Sequence, residues 1–260
     1  MPFNNLLLEI KDGTATITLN RPDSYNAFND EMSYELQDAL KECAKNKEVR
    51  VVVLTGAGKA FCSGQDLKAA AAAGNRSFKD SLEKRYNPII RAMRNMPKPI
   101  VGRINGVAAG AGCSLALACD VIVAAENASF IEVFINVGLI PDSGSTFFLP
   151  RVVGMVRAFE FSSMGTKISA TDGAQMGMIN RVVKAEELDA EVKKFIDYYS
   201  TAPTKAIGIL KKMLNRSFSS DLESMLEYES YCQEIAGNSH DNKEGVAAFI
   251  EKRKPVFKGE

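Results

Sequence analysis

Short apolar, largely β-branched runs at Val51 to Leu54, near Ile100 to Ile104 and at Val121 to Ala125 constrain this chain more than any other feature. A strand that is apolar on both faces needs cover on both sides, as in a parallel sheet. The stretches between the runs read as helices. Met32, Leu36, Ala39, Leu40 and Cys43 share one face of a helix that Asn29 or Asp30 can cap, and further helices are predicted around Ser77 to Met96 and from about Gly112 to Ala118. Strands alternating with helices imply right-handed crossovers and an α/β fold.

The two ends differ from this middle. Leu6 to Ile10 and Thr14 to Leu19 flank Lys11-Asp12-Gly13, which predicts an opening hairpin. From Thr204 onward the pattern is helical, carried by Ile207, Leu210, Met213 and Leu214, then by Leu222, Met225 and Leu226, and finally by Val246 to Arg253. A core over residues 1–200 and a helical region over residues 201–260 are therefore expected. The alanine run Ala69 to Ala73 reads as a helix or a mobile segment.

Charge and thiols narrow the partners. The 32 basic and 32 acidic residues cancel, which argues against a nucleic-acid or membrane-surface protein and favours a small-molecule partner. Cys43, Cys62, Cys113, Cys119 and Cys232 form no C-x-x-C pair, and Met1-Pro-Phe-Asn-Asn5 lacks the basic-then-apolar run of a secretory signal, so reduced thiols in a cytoplasmic protein are expected. Gly110, Gly112 and Asp120 interrupt the apolar stretch Val107 to Ala125, which excludes it as a membrane span. His240, in a polar loop expected at the surface, is the single histidine. That removes most Ser-His-Asp and Cys-His machinery and any multi-histidine metal site, and leaves Cys62 and Cys113 as small packing residues.

Two glycine-rich turns remain, Asn105-Gly-Val-Ala-Ala-Gly-Ala-Gly112 and Ala60-Phe-Cys-Ser-Gly-Gln-Asp-Leu67. Neither has the spacing of a dinucleotide or P-loop fingerprint. Each frees backbone N–H groups where a helix begins, and together they could direct one N–H each at a single oxygen. Downstream, Gly138 to Thr146 sets a lone acid, Asp142, in an apolar stretch. Donors for a charged oxygen and one base are what an enolate requires. The plainer alternative is that Asp142, following Pro141, only shapes a turn or caps a helix.

The ordered set Leu19-Asn-Arg-Pro22, Asn26-Ala27, Leu54-Thr-Gly56, Phe61-Cys-Ser-Gly-Gln-Asp66, Pro97-Lys-Pro99, Asn105 to Gly112, Ala118-Cys-Asp120 and Gly138 to Gly144 resembles the crotonase (enoyl-CoA hydratase/isomerase) superfamily over nearly the whole chain. Phe249-Ile-Glu-Lys-Arg253 looks like that family's closing helix. The resemblance implies a crotonase-like spiral of ββα units with a C-terminal helical trimerisation region, a homotrimer or hexamer, and an acyl-CoA thioester substrate with no separate cofactor and no metal. It further implies an oxyanion hole from the N–H groups of Gln65 and Ala111. Tyr25, Ala27, Ser63, Asp66, Leu67, Gly110 and Phe134 would line the substrate and coenzyme A groove, with Phe249 and Lys252 approaching from the helical region of the same or a neighbouring subunit.

The chain departs from the family's hydratases where it matters most. Ser114 and Phe134 stand in the places of their two glutamates, so the standard hydratase mechanism is disfavoured. Asp142 stands where double-bond-shifting members carry an acid, and Phe134, Ile140 and Phe147 are expected to make its surroundings apolar and raise its pKa. The resemblance thus implies an isomerase, either of enoyl-CoA double bonds or of 1,2-epoxyphenylacetyl-CoA to oxepin-CoA. Alternatives are a hydratase using Asp142 in a rearranged site, a non-catalytic acyl-CoA-binding subunit, and attack by Asp142 on an aromatic ring.

Overall fold

Asp12 and Gly13 adopt left-handed backbone angles, with φ of 48° and 77°, and form the two-residue turn on which the chain's first hairpin closes. The computed structural model describes residues 3–72, 74 and 77–260. Among these, the strands are β1 (Leu6–Lys11), β2 (Thr14–Leu19), β3 (Val51–Gly56), β4 (Ala60–Cys62), β5 (Ile100–Ile104), β6 (Val107–Ala109), β7 (Val121–Ala125), β8 (Ser129–Ile131), β9 (Lys167–Ser169) and β10 (Arg181–Val183).

They form two sheets. The larger runs β1-β2-β3-β5-β7-β10, antiparallel only in the hairpin and parallel thereafter. The smaller runs β4-β6-β8-β9, with β9 antiparallel. Each of β3, β5 and β7 sits in the large sheet and is followed after a short turn by a strand of the small one, and then by helical chain. Three successive ββα units therefore wind as a spiral, and this is the architecture the family motifs imply.

The expected helices are present with adjustments. Asn29 caps the helix Asp30–Lys45 by accepting from the N–H of Met32 at 2.8 Å, and Met32, Leu36, Ala39, Leu40 and Cys43 are all buried beneath it. The segment expected as one helix from Ser77 to Met96 holds a helical turn Phe78–Ser81, a π-helical turn Leu82–Tyr86 and the helix Asn87–Asn95. Ala69 to Ala72 lie in the helix Leu67–Ala72, whereas Ala73 falls outside the described residues. His240 is exposed as expected, but it opens the helix His240–Ile250 because Ser239 caps that helix, accepting from the N–H of Asn242 at 3.0 Å. This helix ends at Ile250, so Glu251 to Arg253 form a turn rather than its continuation, with Lys252 at φ 56°.

Of the C-terminal helices Thr204–Ser217, Leu222–Gly237 and His240–Ile250, the first is fastened to the spiral by a half-buried polar knot. The Asp120 carboxylate accepts from Lys211 at 2.6 Å, from Arg94 at 2.8 Å and from the N–H of Ile100 at 2.8 Å. No helix among the described residues is long and apolar enough to cross a membrane.

Candidate active site

β4 and β6 are neighbours in the small sheet, so the two glycine-rich loops leave it side by side. They touch at positions where no side chain fits. A Cβ on Gly64, at φ 94°, would lie 2.8 Å from the carbonyl oxygen of Ala109, and one on Gly112 would lie 2.1 Å from that of Cys62. On the first loop, Phe28 donates to Gly64 at 2.7 Å and accepts from Asp66 at 2.9 Å, which turns the intervening Gln65 N–H the other way. On the second, Ala111 opens the helix Ala111–Leu117, whose first N–H groups have no intrahelical acceptor. Neither the Gln65 nor the Ala111 N–H is taken up by a hydrogen bond among the described residues. Two motif asparagines hold this arrangement from behind. Asn26 donates to the carbonyls of Ala57 and Ala60 at 2.9 and 2.8 Å, and Asn105 donates to that of Gly58 at 3.0 Å, pinning the turn that delivers β4.

Asp142 is tied to the same loops. The Ser114 hydroxyl donates to the Asp142 backbone carbonyl at 3.0 Å, with the Gly110 carbonyl at 3.3 Å as a second acceptor. Ser114 is thus a strut between the glycine loop and the acid. Burial raises the pKa of the Asp142 carboxyl above its ordinary value, opposed by a 2.7 Å hydrogen bond from the Ser143 hydroxyl. The expected apolar surroundings need correction, however. Phe134 is buried beside Gly110, but Ile140 is 79% exposed and Phe147 42% exposed, its ring under the Arg151 guanidinium at 3.5 Å. Ile140 lies in irregular chain and Phe147 on the outward face of the helix Ser145–Val153, so the burial of Asp142 comes from other groups.

One acid escaped the sequence reasoning. Glu132 is fully buried just after β8; one carboxyl oxygen accepts from the Ser145 hydroxyl, and the other, Oε2, has no partner among the described residues. Burial pushes its pKa up to about 7, opposed by the Ser145 and Cys113 side chains and assisted by the nearby charge of Asp142. The available signal was the one that marked Asp142, an acid inside an apolar run, here Ser129-Phe-Ile-Glu-Val-Phe134.

A stability test follows from this acid. Below pH 4.5 the carboxyl holds its proton in both folded and unfolded chains; between pH 4.5 and about 7 only the unfolded chain releases it, so stability falls as pH rises. The loss amounts to about 3 kcal/mol. Denaturant unfolding of Glu132→Gln should show a stability difference from wild type that moves in the variant's favour by roughly that amount from pH 4.5 to pH 8. A difference that stays constant with pH would show that Glu132 does not titrate in this way.

The groove residues gather with less uniformity. Ser63 donates through its N–H to the Tyr25 carbonyl at 3.0 Å and through its hydroxyl to that of Ser24 at 3.3 Å, which brings Tyr25, Ala27 and Ser63 together where β4 ends, with exposed Leu67 just beyond. The Asp66 carboxylate is committed elsewhere. It accepts from the N–H of Ala69 at 3.0 Å and from Arg21 at 2.9 Å, and these partners hold its pKa below the ordinary value. Phe249 is 85% exposed and adjoins a separate cavity lined by Pro203, Gln233 and Phe257, so this chain by itself does not bring Phe249 and Lys252 to the Asp142 site. Cys62 and Cys113 are buried, with burial pushing Cys62 up to about 12 and Cys113 well above its ordinary value, as suits packing residues rather than nucleophiles.

Two loops with free N–H groups and the half-buried Asp142 form an arrangement able to polarise a carbonyl and move a proton. The chain belongs to the enoyl-CoA hydratase/isomerase family, whose model matches residues 9–260. It is 40% identical over 257 residues to the 1,2-epoxyphenylacetyl-CoA isomerase of Escherichia coli, covering 98% of each chain. It is equally 40% identical, over 259 residues and 100% of both chains, to a Rhodobacter capsulatus protein named "Probable enoyl-CoA hydratase". Among solved structures, the enoyl-CoA hydratase of Mycobacterium smegmatis matches with a TM-score of 0.91 and 35% identity, over 97% of this chain and 98% of that one. The chain is thus an enzyme of this family with the crotonase fold.

Proposed function

We propose that this enzyme is a cofactor-independent isomerase of CoA thioesters, with Asp142 as its single proton carrier. The thioester oxygen sits between the N–H groups of Gln65 and Ala111. Asp142, ionised, removes a proton from the carbon α to the thioester; the electron pair moves into the conjugated system and onto the held oxygen. The proton then returns from Asp142 to a carbon further along the acyl group, so the product has the composition of the substrate. A raised carboxyl pKa suits exchange with carbon, since it makes Asp142 a stronger base than an ordinary aspartate.

The observation that carries this proposal is that, among the described residues at the places of the family's two glutamates, none supplies a second accessible carboxylate. Ser114 is committed to the Asp142 carbonyl, Phe134 has no acid to offer, and Glu132 is enclosed. A hydratase needs one group to activate water and another to protonate carbon, and this site supplies one. The E. coli relative's name adds 1,2-epoxyphenylacetyl-CoA as the favoured substrate, ahead of a plain 3-enoyl thioester. Exposed apolar side chains at Met155, Val156, Phe159, Leu214 and Phe218 suit a homotrimer or a hexamer, in which a neighbour could bring Phe249 and Lys252 to coenzyme A. The reduced, buried thiols suit a cytoplasmic setting.

A substrate panel tests the proposal. Offered 3-enoyl, 2-enoyl and 1,2-epoxyphenylacetyl thioesters, the wild type should yield isomers of unchanged mass from the first or the third and add water to the second only slowly. Hydration of the 2-enoyl thioester at a rate matching isomerisation would replace this proposal with a hydratase.

A further inference from the structure

Tyr86 closes the π-helical turn Leu82–Tyr86, a distortion that recurs at functional sites. It is 5% exposed, and its hydroxyl has no hydrogen-bond partner among the described residues. The ring stands edge-on to Phe28, with centroids 5.7 Å apart, and Phe28 is the residue whose backbone brackets Gln65. After burial, the Arg85 guanidinium lowers the pKa of this phenol, while Asp142 and Cys62 raise it. Among the described residues this is the unpartnered buried hydroxyl whose ring packs on Phe28, the residue paired with the first oxyanion loop.

Buried hydroxyls are almost always hydrogen-bonded, and leaving one unpaired is costly. Burial also raises the pKa of this phenol, keeping it neutral with a proton to give. What it lacks is an acceptor. A plain alkenyl chain has none, whereas an acyl group bearing an epoxide or ether oxygen does.

We propose that the Tyr86 hydroxyl donates a hydrogen bond to an oxygen carried by the acyl group itself, so that the site selects oxygen-bearing acyl thioesters over purely hydrocarbon ones. This rests on the proposal that the two loops and Asp142 hold a CoA thioester. It adds a third point of recognition, on the acyl side of the carbons between which the proton moves.

Two thioesters of nearly the same shape, neither with a double bond to shift nor a β-oxygen to expel, separate the possibilities: cyclohexylacetyl-CoA and oxan-3-ylacetyl-CoA, in which one ring CH₂ is replaced by an ether oxygen. By calorimetry the wild type should bind the ether about tenfold more tightly, the scale of one net hydrogen bond. In Tyr86→Phe that ratio should fall to about one, with the melting temperature maintained because no partner is lost. Equal binding of both thioesters by the wild type, as would follow if an ordered water satisfies the hydroxyl, overturns the role of Tyr86 and leaves the CoA-thioester site standing. So does a preference that survives in Tyr86→Phe. If neither thioester binds the wild type, the thioester site fails as well.

Discussion

Replacing Asp142 with asparagine should lower turnover of a CoA thioester by about 10²–10⁴-fold while changing its binding only a few-fold. Asparagine keeps the shape and can still accept from Ser143, and Ser114 bonds the backbone at this position, so the loop has no reason to move. What is lost is the capacity to hold a proton. The expected signature is a fall in kcat without a matching rise in KM, together with loss of α-proton exchange into deuterated water. Wild-type turnover in Asp142→Asn would sink the single-carrier mechanism.

Gly112→Ala should do comparable damage from the opposite side of the site. Alanine inside a helix is ordinarily favoured over glycine by about 1 kcal/mol. Here its Cβ would stand 2.1 Å from the Cys62 carbonyl oxygen and 2.8 Å from the Cys62 Cβ, so β4 and the helix Ala111–Leu117 must part. Parting them separates the Gln65 and Ala111 N–H groups, and losing one donor of such a pair costs about 10²–10³-fold in kcat. Gly237→Ala is the control, since it lies at the end of the helix Leu222–Gly237 with nothing within 4 Å of the added carbon. Melting temperature and kcat/KM measured on both variants decide the matter: if Gly112→Ala is as harmless as Gly237→Ala, contact between the loops does not set the oxyanion hole.

The large sheet, except its three-residue edge strand β10, was legible in the sequence because β3, β5 and β7 are buried on both faces and carry apolar side chains nearly throughout. The small sheet was legible only through family motifs. β4, β6, β8 and β9 have three residues each, too few to display a period. The site shows the same division. Asp142 and the two loops stood out by composition, and Ser114 and Phe134 were telling as absences. Glu132 and the Tyr86 hydroxyl did not stand out, because their interest lies in partners they lack once the chain is folded. Ile140 and Phe147 failed in the reverse sense, being apolar near the acid in sequence and yet turned outward in space.

The Ser114 strut also bears on how such a site can change. A hydroxyl has a proton to give the Asp142 carbonyl, whereas a glutamate there, once ionised, would press a negative charge against that carbonyl and against a neighbouring carboxylate. The one-acid and two-acid versions of the site are therefore alternative solutions separated by an electrostatic barrier. Passage between them would have to alter positions 114, 134 and 142 together, and a chain caught midway would lose the strut before it gained a working acid pair.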